Sequence, residues 1–243
     1  MKKLKLSRLV LLLSTLLMLP TAARAGSFSV SPVRVDLSAR HPHIVLQIAN
    51  HNSEPATIQV HVVSWSFAGE KDLYTRSDQV LLNPPIFTVG PNQKQSMRLG
   101  LRAPSLNPAE TAYRVILEEV PNRPPPGFSG LRTLLRISIP VFVPPLGPVT
   151  SKLVWQARRT AEGGLEITAA NQGNTHVLIR ALQLSPGETA PPSFLLSQPE
   201  YLLPGQARTW SAHVRDVRDN SRIWVAAKTD AGEINEVLVA SVR

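Results

Sequence analysis

Two groups of neighbouring side chains in this sequence could bind a metal ion or share a proton. His41 and His43 stand on either side of a proline, and Glu118 is followed directly by Glu119. A metal site needs more than two ligands, and no carboxylate adjoins the two histidines. Adjacent residues of a strand point to opposite faces of the sheet, so the two glutamates cannot form a facing acid–base pair. We therefore expect a solvated loop at the histidines and no catalytic pair at the glutamates.

Other sequence signs of catalysis are absent. The sequence contains no GxSxG, HExxH or glycine-rich phosphate-binding motif, and its remaining histidines are scattered. It also contains no cysteine, which excludes thiol catalysis and cysteine-bound metal centres. The sequence thus predicts a protein that is not an enzyme and that binds no cofactor.

Arg34 is a candidate for anion binding. It lies in the alternating segment Ser31-Pro-Val-Arg-Val-Asp-Leu37. An arginine held on a rigid strand can bind a carboxylate through two parallel N–H bonds. A charged side chain at an exposed strand position can instead simply guard a sheet edge. The residues themselves leave both interpretations open.

Residues 131–143, LRTLLRISIPVFV, have the period of a long β-strand. An apolar or β-branched side chain stands at every second position. Pro140 lies within this run, and because proline cannot donate to a ladder it indicates an edge strand. Arg132 and Arg136 argue against burial of both faces. The alternatives are an ordinary buried strand and an edge that pairs with an incoming chain.

The rest of the chain consists of short alternating runs separated by turn residues, without a long segment of helical period. Three prolines and a glycine at residues 144–149 indicate a stiff joint between two β-sandwiches. The predicted strands are residues 28–37, 44–48, 58–65, 96–101, 113–120, 131–143, 152–157, 165–169, 177–184, 208–214, 223–228 and 236–242.

The first 25 residues have the features of a secretory signal peptide. They combine a basic start, an apolar stretch at residues 9–19 and the small-residue cleavage site Ala23-Arg-Ala25. The chain carries a formal charge of +9, but five basic residues and no acidic one lie in this segment, which leaves +4 for the remainder. This mild charge favours solubility over nucleic-acid binding. We expect an exported protein that binds no nucleic acid and does not insert into a membrane.

Several blocks of the sequence resemble the periplasmic pilus-assembly chaperones, the PapD-like partners of outer-membrane ushers. The block at residues 31–37 is similar to the family's first strand, and residues 91–99, PNQKQSMRL, to its conserved turn and following strand. Residues 113–121, YRVILEEVP, are similar to the sixth strand and are the most specific block. The 131–143 run resembles the seventh strand, and residues 171–174, NQGN, a conserved turn of the second domain.

The resemblance implies an all-β fold of two immunoglobulin-like sandwiches set in an L, at residues 26–145 and 146–243. It also implies donor-strand complementation, in which the seventh strand fills the gap in a pilus subunit until an outer-membrane usher exchanges it. Arg34 would anchor the subunit carboxylate and Arg98 would be structural. The side chains lent to the subunit would be Leu131, Thr133, Leu135 and Ile137.

Pro140 departs from the better-known members, which have a lysine near this position that helps to bind the subunit carboxylate. Either Arg34 acts alone or another base such as Arg136 contributes. The segment Ile139-Pro-Val-Phe-Val143 resembles the archaic or alternative branches of the family. The absence of cysteine is a second departure, because some members have a disulfide in the second domain, and the short, proline-rich loop at residues 122–130 argues against the long-loop branch. A structural, pilin-like surface protein is the alternative function. Self-association through the edge strand is a further expectation.

Overall fold

The computed structural model describes residues 28–121, 129, 133–160, 164–187, 192–212 and 220–241. Within these ranges all regular elements are strands, which confirms the predicted all-β class. No helix with the length and hydropathy of a membrane span occurs in the described part of the chain. The predicted signal peptide, residues 1–25, lies outside the described residues.

Eighteen strands follow one another along the described chain. The first ten are β1 (Phe28–Ser31), β2 (Val35–Asp36), β3 (His43–Asn50), β4 (Ala56–Ala68), β5 (Lys71–Arg76), β6 (Val80–Asn83), β7 (Ile86–Val89), β8 (Lys94–Leu101), β9 (Thr111–Val120) and β10 (Arg136–Val143). The other eight are β11 (Leu153–Arg159), β12 (Leu165–Asn171), β13 (Val177–Ser185), β14 (Ser193–Phe194), β15 (Glu200–Leu202), β16 (Ala207–Ala212), β17 (Arg222–Thr229) and β18 (Glu233–Val239).

Strands β1–β10 form the first sandwich. One sheet has the strand order β1-β3-β8-β6, and the other has the order β2-β10-β9-β4-β5, with β7 also paired to β4. Alternating apolar side chains from both sheets fill the space between them. Leu46, Met97 and Leu117 are among the side chains that are fully buried in this core.

Strands β11–β18 form the second sandwich. Its sheets have the orders β11-β12-β16 and β14-β13-β17-β18, with β15 also paired to β13. Ile167, Leu182 and Ile223 lie in its own buried core. In the described chain, each sheet takes its strands from one side of the joint at residues 144–149. The boundaries at 26–145 and 146–243 and the L-shaped arrangement stay predictions.

The predicted single strand at residues 28–37 is wrong, because this segment forms two strands in different sheets. β1 runs antiparallel to β3, and β2 runs parallel to β10 with Val35 opposite Val141. Pro32 lies between β1 and β2 and has no N–H with which to continue either ladder. The change of sheet places Arg34 in the bend directly before β2.

The strand predicted at residues 131–143 begins only at Arg136. Leu135 accepts a hydrogen bond from the backbone N–H of Glu119 at 2.9 Å. Its own N–H donates to the side-chain carboxylate of Glu119 at 3.1 Å, where a longer ladder would use a backbone carbonyl. The side-chain carboxylate of Glu119 therefore accepts the bond that a backbone carbonyl would accept in a regular ladder. Regular pairing of β10 with β9 starts one residue later, at Arg136.

A buried asparagine organises a turn of the first sandwich. The side-chain amide of Asn50 donates to the carbonyls of Glu54 and Val89 at 2.8 and 3.0 Å. Its Oδ1 accepts the backbone N–H of Asn52 at 2.9 Å. Asn50 is fully buried, so these bonds satisfy a side chain that would otherwise be costly to bury.

The second sandwich uses the same device at the predicted turn of residues 171–174. The amide of Asn171 donates to the carbonyls of Thr175 and Leu202 at 2.8 and 2.9 Å, and its Oδ1 accepts the N–H of Gly173 at 2.9 Å. The offsets to the turn residues, two and four, are those of Asn50. Each sandwich thus contains one turn that a buried asparagine stabilises in the same way.

Candidate functional site

One side of β10 is only partly covered. β9 pairs with every residue of β10, whereas β2 pairs with it on the other side only at Val141 and Phe142. In the described part of the chain, no strand pairs with residues 136–140 on that second side. These five residues form an open sheet edge, which we call the β10 edge.

The backbone of β10 directs alternate polar groups toward this edge. The carbonyl of Phe142 accepts the N–H of Leu37 on the β2 side, whereas the carbonyl of Leu135 accepts the N–H of Glu119 on the β9 side. Because backbone N–H and C=O groups alternate in direction along a strand, those of the even-numbered residues of β10 point toward the β10 edge. At Pro140 the missing N–H would have pointed toward the open side. The proline therefore removes no hydrogen bond between β10 and β9.

The odd-numbered side chains of β10 face the core of the first sandwich. Ile139 and Val141 are buried there, but Leu135 and Ile137 are only partly buried against the same core. Burial thus falls along the strand toward its beginning, and Leu134, just before it, is 43% exposed. The start of the β10 edge leaves apolar surface that an added strand could cover.

The structure brings together two of the four predicted donor side chains. Leu135 and Ile137 lie on the same face of the chain, against the first core. Thr133 is exposed and precedes the strand, so it does not extend that face as part of a regular ladder. Leu131 lies outside the described residues.

Arg136 and Arg98 are both exposed. The side chain of Arg136 is 69% exposed and its Nε lies 3.3 Å from the carboxylate of Glu118 on β9. Arg98 lies on β8 with an exposed side chain. The structural role of Arg98 stays a prediction.

Arg34 lies where β2 begins to close the β10 edge. Its Nε and Nη2 donate to the carboxylate of Asp36 at 3.1 to 3.2 Å, and its Nη1 donates to Asp230 at 3.4 Å. Its guanidinium carbon is 5.5 Å from the centre of the Phe142 ring. Burial lowers the pKa of Arg34, but the bond to Asp36 and the charges of Asp36, Tyr201 and Asp230 together more than offset this, and the pKa lies above the ordinary arginine value. Arg34 therefore already has two carboxylate partners.

His176 joins two carboxylates where the sandwiches meet. Its Nδ1 lies 2.7 Å from Glu110 and its Nε2 lies 3.6 Å from Asp230, and the side chains of His176 and Glu110 are each only 5% exposed. Burial lowers the pKa of His176, but Asp230 and Glu110 outweigh it and raise the pKa above the ordinary histidine value. Burial raises the pKa of Asp230, but His176 and the N–H of Leu178 outweigh it and lower the pKa. Arg34, Asp230, His176 and Glu110 thus form one charge cluster.

An aromatic cluster from both sandwiches adjoins the charge cluster. Phe142 stacks on His176 with ring centres 3.7 Å apart, and Trp65 meets Tyr201 edge-on at 5.7 Å. The guanidinium carbon of Arg114 lies 3.7 Å from the centre of the Trp65 ring and 5.9 Å from that of Tyr201. Two arginines, one at each end, therefore contact the same group of rings.

Arg114 differs from Arg34 in having no bound carboxylate. Its Nε is buried and has no hydrogen-bond partner among the described residues. Burial lowers the pKa of Arg114 below the ordinary arginine value. Arg114 lies on β9 directly opposite Pro140 on β10, so the two side chains share one face of the sheet.

Comparison with known protein families bears directly on this arrangement. The family model described as "Pili and flagellar-assembly chaperone, PapD N-terminal domain" matches residues 27–148. The chain belongs to this chaperone family. The match covers half of the chain and includes every strand of the first sandwich.

Solved structures of pilus chaperones share the fold of this chaperone. The complex of CsuC with the tip adhesion subunit CsuE, from archaic Csu pili of Acinetobacter baumannii, matches at 20% identity with a TM-score of 0.64, over 89% of this chain and 99% of that chain. The SafB chaperone with SafA pilin from Salmonella enterica matches at 18% identity and 0.63, over 89% and 99%. The E. coli chaperone DraB matches at 18% and 0.55, over 90% and 100%. The curated protein sequences contain no match to this chain.

The charge cluster of this chaperone was not predicted from its sequence. Glu110, His176 and Asp230 are separated by more than fifty residues from one another and carry no local motif. Arg114 did leave a signal, because it interrupts the otherwise apolar start of β9 at residues 112–117. A charged residue inside such an apolar run indicates that its side chain has a specific contact in the folded protein.

A hairpin of the chaperone makes a second contact between the sandwiches. The carboxylate of Glu70, in the β4–β5 turn, accepts the backbone N–H of Thr209 at 2.9 Å. Arg208 donates to Glu200 at 2.9 Å and lies 3.7 Å from Asp72 on β5. The sandwiches are thus held together at the hairpin as well as at the charge cluster.

The neighbouring histidines and the neighbouring glutamates do not form a chemical site in the described part of the chain. His41 and His43 are both exposed, and the described residues include no group of three His, Asp or Glu side chains placed to hold a metal ion. Glu118 pairs with Arg136, whereas Glu119 accepts the N–H of Leu135. The two glutamates therefore serve the pairing of β9 with β10.

Proposed function

We propose that this chaperone binds pilus subunits by lending them the β10 edge as a donor strand. The observation that carries the proposal is the open edge at residues 136–140, next to the half-covered side chains of Leu135 and Ile137. Backbone bonds to the edge would supply affinity, and the alternate side chains would fill the core of the subunit. The solved complexes of related chaperones contain a tip adhesion subunit and a pilin, which agrees with a client of this class.

The edge also suggests how the added strand runs. β2 closes the edge from Val141 onward, so a strand added at residues 136–140 ends near Pro140. With its carboxyl terminus there, it runs parallel to β10 and its carboxylate meets Arg34, directly before β2. The anchoring role of Arg34 and the donor roles of Leu135 and Ile137 are parts of this proposal.

The proposal includes the cellular route. Removal of residues 1–25 would release the chaperone into the periplasm, and the bound subunit would pass to an outer-membrane usher. Mass measurement of the exported protein tests the cleavage site. A mature chain beginning at Gly26 is expected, and a chain that retains residues 1–25 would contradict export through a cleaved signal.

Replacement of Leu135 by glutamate tests donor-strand binding. The chaperone is co-expressed with a pilus subunit of its own organism, and the captured subunit is measured by co-purification. Because an unpaired carboxylate would enter the subunit core at a cost of more than about 7 kcal/mol if it stays ionised, we expect Leu135→Glu to abolish capture. The control is Ser138→Glu, an exposed position on the opposite face of β10. Normal capture by a folded Leu135→Glu protein would contradict the proposal.

A further inference from the structure

We propose that His176 is a pH switch for the joint between the two sandwiches, which is closed when the imidazole is charged and loosened when the imidazole is neutral. His176 precedes β13 in the second sandwich, and Glu110 precedes β9 in the first. The contact between their side chains therefore crosses the joint. Such a switch would act whether or not the β10 edge accepts a strand, since it needs only residues of the joint itself.

Only the charged imidazole of His176 has an N–H for each of the carboxylates beside it. Nδ1 lies 2.7 Å from Glu110, and Nε2, which is buried without a hydrogen-bond partner among the described residues, lies 3.6 Å from Asp230. A neutral imidazole has one N–H and one lone pair. Whichever nitrogen holds the proton, the lone pair of the other then faces a negative charge. The protonated ring avoids this repulsion.

The charged and titratable side chains that face His176 come from both sandwiches. Arg34 and Glu110 belong to the first, and Asp230 and Tyr201 belong to the second. Burial raises the pKa of Tyr201 above the ordinary tyrosine value, so this phenol stays neutral where a histidine titrates. Burial lowers the pKa of His176, but Asp230 and Glu110 outweigh burial and raise it. Histidine is the side chain of this group that ordinarily titrates near neutral pH.

Loss of the histidine charge would leave Glu110 poorly compensated in a dry place. The side chains of His176 and Glu110 are each only 5% exposed. The carboxylate of Glu110 also accepts the Thr175 hydroxyl at 2.8 Å and the backbone N–H of His176 at 3.0 Å, but neither of these donors is charged. A buried carboxylate without a cation is costly, so a neutral His176 favours hydration of Glu110.

Hydration of Glu110 would part the sandwiches at this contact. The donors that the structure describes for its carboxylate belong to Thr175 and His176, both in the second sandwich. Water can replace them only if the segment at residues 174–176 moves away from Glu110. The backbone N–H of Glu110 donates to the carbonyl of Asn174 at 2.8 Å across the same contact, so its exchange with solvent reports this movement.

The joint would loosen without coming apart. The carboxylate of Glu70 accepts the N–H of Thr209 at 2.9 Å in the hairpin contact, which contains no histidine. Phe142 on β10 stacks on His176 with ring centres 3.7 Å apart. When His176 loses its charge, the second sandwich should therefore move away from the end of β10 while it stays attached at the hairpin.

A pH titration of the wild-type protein between about pH 5.5 and 8 tests the switch. Because the chain contains no cysteine, spin labels can be attached to cysteines introduced at Gln47 on β3 and Gln156 on β11, which are exposed positions of different sandwiches. We expect a narrow distribution of distances between the labels at the lower pH and a broader one with a shifted mean at the higher pH. The midpoint should coincide with that of the His176 imidazole, followed by NMR.

Amide exchange supplies a second readout at the contact itself. The protection factor of the Glu110 N–H already corrects for the intrinsic effect of pH on exchange. It should fall about 10-fold from the lower to the higher pH, as the loss of one charge-assisted hydrogen bond would give.

Two substitutions separate a charge switch from a merely structural contact. Glu110→Gln keeps an oxygen that can accept the Thr175 hydroxyl but removes the negative charge, so the distance distribution should stay narrow at both pH values. His176→Phe keeps a ring for Phe142 and is neutral at every pH, so the distribution should be broad at both. The matched control His61→Phe removes an exposed histidine that lies 4.0 Å from Glu118, and it should behave as wild type.

The proposal is overturned if the distances stay constant while His176 titrates, or if His176 keeps one charge state over the whole range. A pH-dependent change that persists in His176→Phe would assign the switch to another group. Should His176→Phe fail to fold, Glu110→Gln decides, because a broad distribution in this variant at the higher pH contradicts the role of the unpaired carboxylate. None of these outcomes alters the proposed function, which capture by Leu135→Glu tests separately.

Discussion

Phe142 and His176 stack face to face between the two sandwiches, with ring centres 3.7 Å apart and an angle of 13° between the rings. Phe142 is one of the two β10 residues that pair with β2 and so close the β10 edge, and His176 belongs to the charge cluster with Glu110 and Asp230. The end of the edge and the contact between the sandwiches are therefore one structure. We therefore expect substitutions in the charge cluster to affect strand binding at the β10 edge.

The charge cluster predicts a pH dependence of stability. The raised pKa of His176 means that its contribution to the free energy of unfolding is complete below about pH 6.5 and is lost as pH rises through the raised value. The lowered pKa of Asp230 means that its contribution is complete above about pH 4 and is lost as pH falls through the lowered value. Urea unfolding should therefore show the largest contribution between about pH 4 and 6.5.

His176→Phe is the control for this pH dependence. Phenylalanine keeps a ring for Phe142 to stack on but cannot bind a proton or donate to Glu110. We expect the variant to lose about 2 kcal/mol of unfolding free energy at pH 5.5, the value of a charged hydrogen bond. The loss should shrink as pH rises above 6.5. Parallel pH profiles for wild type and variant would contradict the role assigned to His176.

The buried asparagine of the second sandwich should be essential for stability. Asn171→Ala removes three hydrogen bonds and leaves the carbonyls of Thr175 and Leu202 without a donor. We expect a loss of about 1 to 3 kcal/mol in unfolding free energy. Asn107→Ala, at an exposed position, is the matched control and should change little. Equal effects of the two substitutions would show that the turn does not depend on Asn171.

Alternation along the sequence predicted most strands because each sandwich buries one face of each sheet. It failed at residues 28–37, where the apolar rhythm continues although the chain changes sheets at Pro32. Alternation also missed β5. Leu73 and Tyr74 are both exposed in this strand, so burial does not select apolar residues at every second position. The strand predicted from residue 131 was too long, because a hydrogen bond to the side chain of Glu119 ends the ladder.

The site was only partly predictable for a related reason. Leu135, Ile137 and Pro140 are close in the sequence, so their pattern already indicates an edge with an apolar face. The partners of Arg34 and the position of Arg114 depend on contacts between strands and between sandwiches. Such contacts leave no periodic signal in a single sequence.

Two proline substitutions should separate the roles of alternate backbone groups in β10. The N–H of Ser138 points toward the β10 edge, whereas that of Ile139 points toward β9. Ile139→Pro should therefore break the β9 ladder and cost at least about 1 to 3 kcal/mol, the value of a buried backbone group that loses its partner. Ser138→Pro should leave the free chaperone folded, as Pro140 already does at the next such position, but should prevent capture of a subunit.

Unfolding curves and co-purification together check this pair. The outcome expected is a stable Ser138→Pro protein without subunit and a destabilised Ile139→Pro protein. Equal destabilisation by both prolines would mean that both N–H groups are bonded in the free chaperone. In that case residues 136–140 would not form an open edge.

Amide hydrogen exchange of Ser138, followed by NMR, tests the donor-strand claim most directly. In the free chaperone we expect the Ser138 N–H to exchange rapidly while those of its neighbours Ile137 and Ile139, which bond to β9, are protected. After a subunit binds, the Ser138 N–H should become as protected as its neighbours. A Ser138 amide that is already protected in the free protein, or that still exchanges rapidly in the complex, would contradict donation of the β10 edge.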